Sequence, residues 1–187
     1  MPQVLVEISA RHIHLAEKDL FTLFGNGYSL KKQKDLSQSG EFAAKETIAI
    51  VNNDKKLVFR VVGPLRKETQ VELSVSDCIL LKIKPSLKLS GDLSGSSKAT
   101  LVGPNGQLRL KQGVIVAKRH LHIDLTTAKK WKLKNGQKIS VLTKGDRALE
   151  FKNIIVRIGD FQTRLHLDTD EANAAGLKNN DKVYLQI

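Results

Sequence analysis

The chain has 187 residues, 41% of them hydrophobic and 27% charged, with a net charge of +12 and one cysteine. That balance suits one compact unit or two small intertwined domains, and it excludes a disulfide framework, a cysteine-built metal site and, with no apolar run near the roughly 18 residues required, a membrane-spanning helix. The positive surplus favours anionic partners (nucleic acid, acidic membrane or a phosphorylated small molecule) without choosing among them.

In chain order, residues 4–8 read as a first strand with no charged, apolar leader before it, so a reducing cytoplasm is the expected home. A helix over 16–24 ends at Gly25. Short Val-, Ile- and Leu-rich strands follow at 47–51, 57–62, 70–75 and 114–117, separated by turn signals such as Asn52-Asn53-Asp54 and Gly103-Pro104-Asn105-Gly106. A second helix over 125–134 stops at Asn135-Gly136. Strands at 138–142, 154–158 and 162–167 precede a helix over 170–175, and Gly176 stands where a left-handed C-cap is usual. A last strand covers 182–187. Many short strands with few helices predict a mainly β chain of two small β-barrels with short capping helices.

The chain repeats itself. Arg11-His12-Ile13-His14-Leu15 returns as Arg119-His120-Leu121-His122-Ile123, each after an apolar strand and before a short helix. Thr69-Gln70-Val71-Glu72-Leu73 matches Thr163-Arg164-Leu165-His166-Leu167 at an offset of 94, which sets Glu72 opposite His166. Two motif pairs in the same order point to two homologous half-folds related by pseudo-twofold symmetry.

The five histidines all fall in these motifs. On a strand, residues i and i+2 share a face about 6.6 Å apart, so a His-x-His pair can converge on one metal ion. A lone pair is more often a solvated strand face. Here each pair gains a third ligand from the later match: His12, His14 and Glu72 in one half, His120, His122 and His166 in the other. Glu72 rests only on its alignment with His166. The donor set suits zinc, and iron, nickel or cobalt could bind it. Three protein ligands leave a coordination position open for substrate, the mark of a catalytic site, and two such sites brought together by the pseudo-symmetry would make a dinuclear centre.

Gly63-Pro64-Leu65-Arg66 follows a strand, with Arg66 six residues before Glu72, and a guanidinium there suits phosphate. Arg60 precedes it on the same segment. The lysines at 129, 130, 132 and 134 read as a solvated helix face. The glycine loops at Ser90-Gly91-Asp92 and 103–106 lack nucleotide-binding spacing and read as turns. No Gly-x-Ser-x-Gly element is present, and Cys78, in an apolar stretch, reads as buried.

Taken together, Ser9-Ala10-Arg11-His12-Ile13-His14-Leu15, Phe42-Ala43-Ala44-Lys45-Glu46, Gly63-Pro64-Leu65-Arg66, Thr69-Gln70-Val71-Glu72, Ser90-Gly91-Asp92, Arg119-His120-Leu121-His122 and the run from His166 to Gly176 resemble the PduL-type phosphotransacylases, or phosphate propanoyltransferases. The likeness runs through nearly the whole chain. It implies two β-barrels that are not sequential halves, one from 1–18 with 112–187 and one from 19–111, with a dizinc site between them. It implies two Zn2+ ions on the five histidines and Glu72, phosphate held by Arg66, and CoA contacts near Ser9, Ala10, Arg60 and Asn173. It also implies exchange of phosphate for CoA on a short acyl-CoA, acetyl or propionyl, as in propanediol degradation. Members often carry an N-terminal extension that directs them into a bacterial microcompartment. None precedes the first strand here, so a free bacterial cytoplasmic enzyme is expected, with the microcompartment lumen as alternative. A homo-oligomer is compatible with the reading. No nucleic-acid or membrane partner is expected.

Two rivals stand beside this reading. A dinuclear zinc thioesterase would use the same ligands without phosphate. A basic β-barrel that binds nucleic acid would explain the charge but not the histidines, and the chain is only 5% aromatic, poor in stacking platforms.

Overall fold

A computed structural model describes Met1–Ile187. The chain is mainly β and forms two compact units, Met1–Ala10 with Lys118–Ile187, and Arg11–Ala117. No helix is long and apolar enough to cross a membrane.

The first unit is a closed six-stranded barrel. Its strands are β1 (Gln3–Ser9), β10 (His120–Ile123), β11 (Lys138–Leu142), β12 (Glu150–Ile158), β13 (Arg164–Asp168) and β14 (Lys182–Gln186). They run in the order β1-β13-β10-β12-β11-β14, and β14 returns to β1. Two short helices, α3 (Leu125–Lys130) and α4 (Thr169–Ala174), belong to this unit.

The second unit contains β2 (His12–His14), β3 (Lys32–Asp35), β4 (Phe42–Asn52), β5 (Lys55–Gly63), β6 (Gln70–Glu72), β7 (Leu87–Lys88), β8 (Ser97–Val102) and β9 (Gln107–Ala117), with helices α1 (Glu17–Phe24) and α2 (Val75–Leu81). Strand β4 pairs β5, then β2, β6, β9 and β8 follow, and β8 closes the ring on β4. Strands β3 and β7 add to its margins.

The two rings have the same wiring. Each His-x-His strand runs parallel to one neighbour (β2 to β5, β10 to β12) and antiparallel to the other (β2 to β6, β10 to β13). The strand after that is again parallel, β9 on β6 and β1 on β13. Each unit therefore takes one strand from the far side of a His-x-His motif: β1 precedes the motif of the second unit yet closes the first, and β9 does the reverse. The chain changes unit between Ala10 and Arg11 and between Ala117 and Lys118. The boundaries expected at 18/19 and 111/112 shift accordingly, because His12 and His14 pair with β5 and β6 rather than with strands of the first unit.

Alternation builds both cores. In β10 and β13, Leu121, Ile123, Leu165 and Leu167 are buried in the first barrel together with Val4, Val6, Val141, Val156 and Leu185. In β2 it is Ile13 that joins the second core, with Phe59, Val61, Val71, Val114 and Leu101 packed in the same cluster. Because successive strand residues face opposite ways, the intervening histidines are turned away from these cores.

Candidate metal and anion sites

In the second unit, strand register sets His12 directly opposite Glu72 and Ile13 opposite Val71. Directly opposed residues on an antiparallel pair hold their Cβ atoms about 5 Å apart, so the third ligand falls beside the His-x-His pair without any loop. The rings of His12 and His14 lie 4.9 Å apart, nearly perpendicular. His12 Nε2 is 3.8 Å from Glu72 Oε2. His14 Nδ1 lies 3.1 Å from the Val62 carbonyl. A proton on Nδ1 donates there and leaves Nε2 as the free lone pair.

The other oxygen of Glu72 is engaged elsewhere. Oε1 accepts from the Ser90 hydroxyl at 2.9 Å and from the Gln70 amide. Gln70 is held in turn by the Gly91 amide, which donates to Oε1 of Gln70 at 2.7 Å. Arg66 donates to Ser90 Oγ at 3.3 Å and lies 3.5 Å from Glu41. Its backbone amide donates to the Leu15 carbonyl at 2.9 Å, so the Arg66 backbone is tethered to the residue that follows the histidine pair. Arg66 and Glu72 therefore meet on one hydroxyl.

Burial pushes His14 down to about 3, helped by the charges of His12 and Arg66 against the opposing pull of Glu72 and the Val62 carbonyl. Burial works against ionisation of Glu72, but His12, His14, Ser90 and Arg66 outweigh it and hold the carboxyl below the usual range. The site thus offers a neutral imidazole and a buried carboxylate at neutral pH.

In the first unit, His120 faces His166 across β10 and β13. Their rings stack 4.8 Å apart, and His122 lies 4.6 and 4.5 Å from the two of them. His120 Nδ1 is 2.9 Å from the Lys118 carbonyl. Both ring nitrogens of His122 are buried and meet no hydrogen-bond partner, while its ring stacks on Phe161 at 3.9 Å. Leaving such atoms unpaired costs about 1–3 kcal/mol, which a ligand to the ring would offset. Burial drives His122 down to about 2, reinforced by His166, His120 and Arg157. His166 Nε2 stands 3.8 Å from Glu7 Oε2.

Both triads fit a metal. The ligand atoms of each lie within 4.8 Å of one another. A single zinc at about 2.0–2.1 Å from each ligand needs them about 3.3 Å apart, a difference that rotamer adjustment covers. The donors, two imidazoles with a carboxylate in one unit and three imidazoles in the other, are those of open zinc sites.

The predicted CoA residues divide between the units. Ser9 ends β1 opposite Asp168, the N-cap of α4, and Asn173 lies exposed in that helix, so these two belong to one end of the first unit with Ala10 following. Arg60, on β5 beside His12, donates to the carbonyls of Ala44 and Lys45 at 3.1 and 2.9 Å. Sequence reasoning missed Gln70, Ser90 as a partner of Glu72, Glu7, Phe161 and the acids Asp77 and Glu171. Gln70 and Ser90 stood inside motifs that carry the family resemblance, and Asp77 and Glu171 are related by the same offset of 94 that pairs Glu72 with His166; Glu7 and Phe161 carried no signal.

The sequence model of a family described as phosphate propanoyltransferase matches residues 5–178. A phosphate propanoyltransferase of Thermotoga maritima is 45% identical over 187 residues, covering 98% of this chain and 89% of its own. One of Rhodopseudomonas palustris is 43% identical over 185 residues, covering 98% and 82%. One of Listeria monocytogenes is 43% identical over 178 residues, covering 94% and 83%.

Proposed function

Since the chain belongs to the phosphate propanoyltransferase family, we propose that it exchanges the CoA of a short acyl-CoA, propionyl or acetyl, for phosphate. The observation that carries the reading is the hydrogen-bonded chain Arg66–Ser90–Glu72, which joins an anion-binding guanidinium to a ligand of the His12–His14–Glu72 triad.

A phosphate oxygen attacks the thioester carbonyl carbon. The C–O bond forms as the C–S bond breaks, and CoA leaves as a thiolate. Arg66 binds two phosphate oxygens through its planar fork and aims the third, which replaces lost entropy with a fixed approach. His12, His14 and Glu72 would hold one zinc, and His120, His122 and His166 would hold a second. Zinc when bound would supply Lewis-acid stabilisation of oxyanion and thiolate. Glu72 offers Oε2 to the metal because Ser90 and Gln70 occupy Oε1. His14 and His120 present Nε2 because backbone carbonyls take Nδ1. Ser9, Ala10, Arg60 and Asn173 contact CoA. No acyl-enzyme is required, since the phosphate itself is the nucleophile.

The test follows thioester loss from propionyl-CoA with and without phosphate, before and after chelation. Loss that needs both, and returns with zinc, is the expected result. Loss without phosphate would make the protein a metal thioesterase and overturn the reading.

A further inference from the structure

Each His-x-His motif is preceded by an arginine, and in both units that arginine reaches the same place. Arg11 Nη2 lies 2.7 Å from Asp77 Oδ1 in the second unit. Arg119 Nε lies 2.8 Å from Glu171 Oε1 in the first. Both acids are the third residue of a helix that starts just after the third ligand, α2 after Glu72 and α4 after His166. Both complete a capping box with the residue two positions beyond that ligand. Asp77 Oδ2 accepts from the Ser74 amide at 3.3 Å, and Ser74 Oγ accepts from the Asp77 amide at 3.2 Å. Glu171 Oε2 accepts from the Asp168 amide at 3.4 Å, and Asp168 Oδ1 accepts from the Glu171 amide at 2.8 Å.

Each carboxylate thus spends one oxygen on the arginine that opens the His-x-His strand and the other on the backbone that leaves the third-ligand strand. The connection is made with different side chains in the two units: Asp or Glu as the acid, Ser or Asp as the cap, and a different guanidinium nitrogen. A capping box needs no arginine. Side chains of Asp77 and Glu171 are only 5% and 20% exposed, and a carboxylate kept so far from water needs a reason to be there.

We propose that Arg11–Asp77 and Arg119–Glu171 are positioning pairs, each fixing the third ligand against the histidine pair of its own unit and so setting that unit's zinc affinity. The inference rests on the metal reading above. Outer partners of metal ligands typically shift metal affinity by about 10- to 100-fold.

The experiment titrates the full metal-free chain with zinc against a chromophoric chelator and follows the histidine side-chain nitrogens by NMR. Wild type should take two zinc ions. Asp77→Asn should weaken one of them at least tenfold, with the His12 and His14 signals losing their metal shift at limiting zinc while those of His120, His122 and His166 keep it. Glu171→Gln should do the reverse. Arg11→Lys and Arg119→Lys, at arginines 40% and 34% exposed, keep the charge, spare the fold and should weaken the same sites. Unchanged zinc affinities with a lower melting point of the metal-free protein would make the pairs merely structural and overturn the inference. So would an equal loss at both sites. A wild type that takes up no zinc would instead overturn the metal reading beneath it.

Discussion

At the residue scale, Arg66 and the buried histidines make separable predictions. Arg66→Ala removes the fork but touches no ligand directly, so phosphate-dependent turnover should fall roughly 100-fold while zinc content, measured by atomic emission, stays at wild type. Full activity would remove Arg66 from the mechanism. The histidines predict a pH dependence. His14 and His122 are held at about 3 and about 2, against 6.5 when unfolded. Below pH 6.5 the unfolded chain therefore binds more protons, and the stability they contribute above that pH drains at about 1.4 kcal/mol per unit for each group. Glu171 acts in the opposite sense. Burial, with Asp168 beside it and against Arg119, lifts its carboxyl from 4.5 to about 7, so its cost is relieved as pH falls through that window and offsets one histidine. Urea unfolding of the metal-free protein should thus lose about 1.4 kcal/mol per unit from pH 6.5 to 4.5, and more steeply below. His122→Gln should nearly flatten the upper window. A wild-type midpoint constant from pH 6.5 to 4.5 would contradict these assignments.

At the element scale, the candidate ligands are delivered by period-two alternation. The same Leu121 and Leu165 that fill the first barrel set His120 and His166 on the opposite face in direct register. Strands at 138–142, 154–158 and 182–187 were legible as Val- and Ile-rich runs between turn residues. Helix α2 was not, because the strand read over 70–75 runs into its first residue and 77–81 read only as a buried apolar stretch, whereas the Ser74–Asp77 capping box starts a helix there. Strands β3 and β7 escaped for the opposite reason: their residues are largely exposed and carry no apolar pattern. Gly113 offers a test of strand geometry. Its φ is +119°, and an added Cβ would come within 2.7 Å of the Thr69 carbonyl, on the segment whose hydroxyl bonds Ala16 and Asp19. Gly113→Ala should cost about 1–3 kcal/mol in urea denaturation. A loss well under about 0.5 kcal/mol, on the order of an ordinary surface change, would show that the backbone yields.

At the scale of the whole molecule, two rings of the same wiring each depend on a strand donated across a His-x-His motif. Strand β1 is paired on both sides, by β13 and β14, and buries Val4 and Val6. Removing it forfeits about 3–6 kcal/mol of apolar burial as well as two ladders, a large share of the roughly 5–15 kcal/mol by which a domain is usually stable. A fragment of residues 118–187 should therefore lack a cooperative thermal transition and bind a hydrophobic dye. Adding a peptide of residues 1–10 should restore the transition. A fragment that melts cooperatively alone would show that the ring closes without β1.

The sequence alone determined the β content, the duplication and the family, and it singled out the six residues that the fold gathers into two clusters, because these depend on residue type and spacing along the chain. It also showed that the units are not sequential halves, though only through the family resemblance. The tertiary structure decided what depends on pairing between distant segments: the changeovers at Ala10 and Ala117, the register that sets Glu72 against His12, and Ser90 joining Arg66 to Glu72. It also decided the carboxylates of Asp77 and Glu171 bridging two strands. Such links arise from hydrogen-bond register and burial, which no local periodicity encodes, and they gather the candidate ligands into two clusters with defined neighbours.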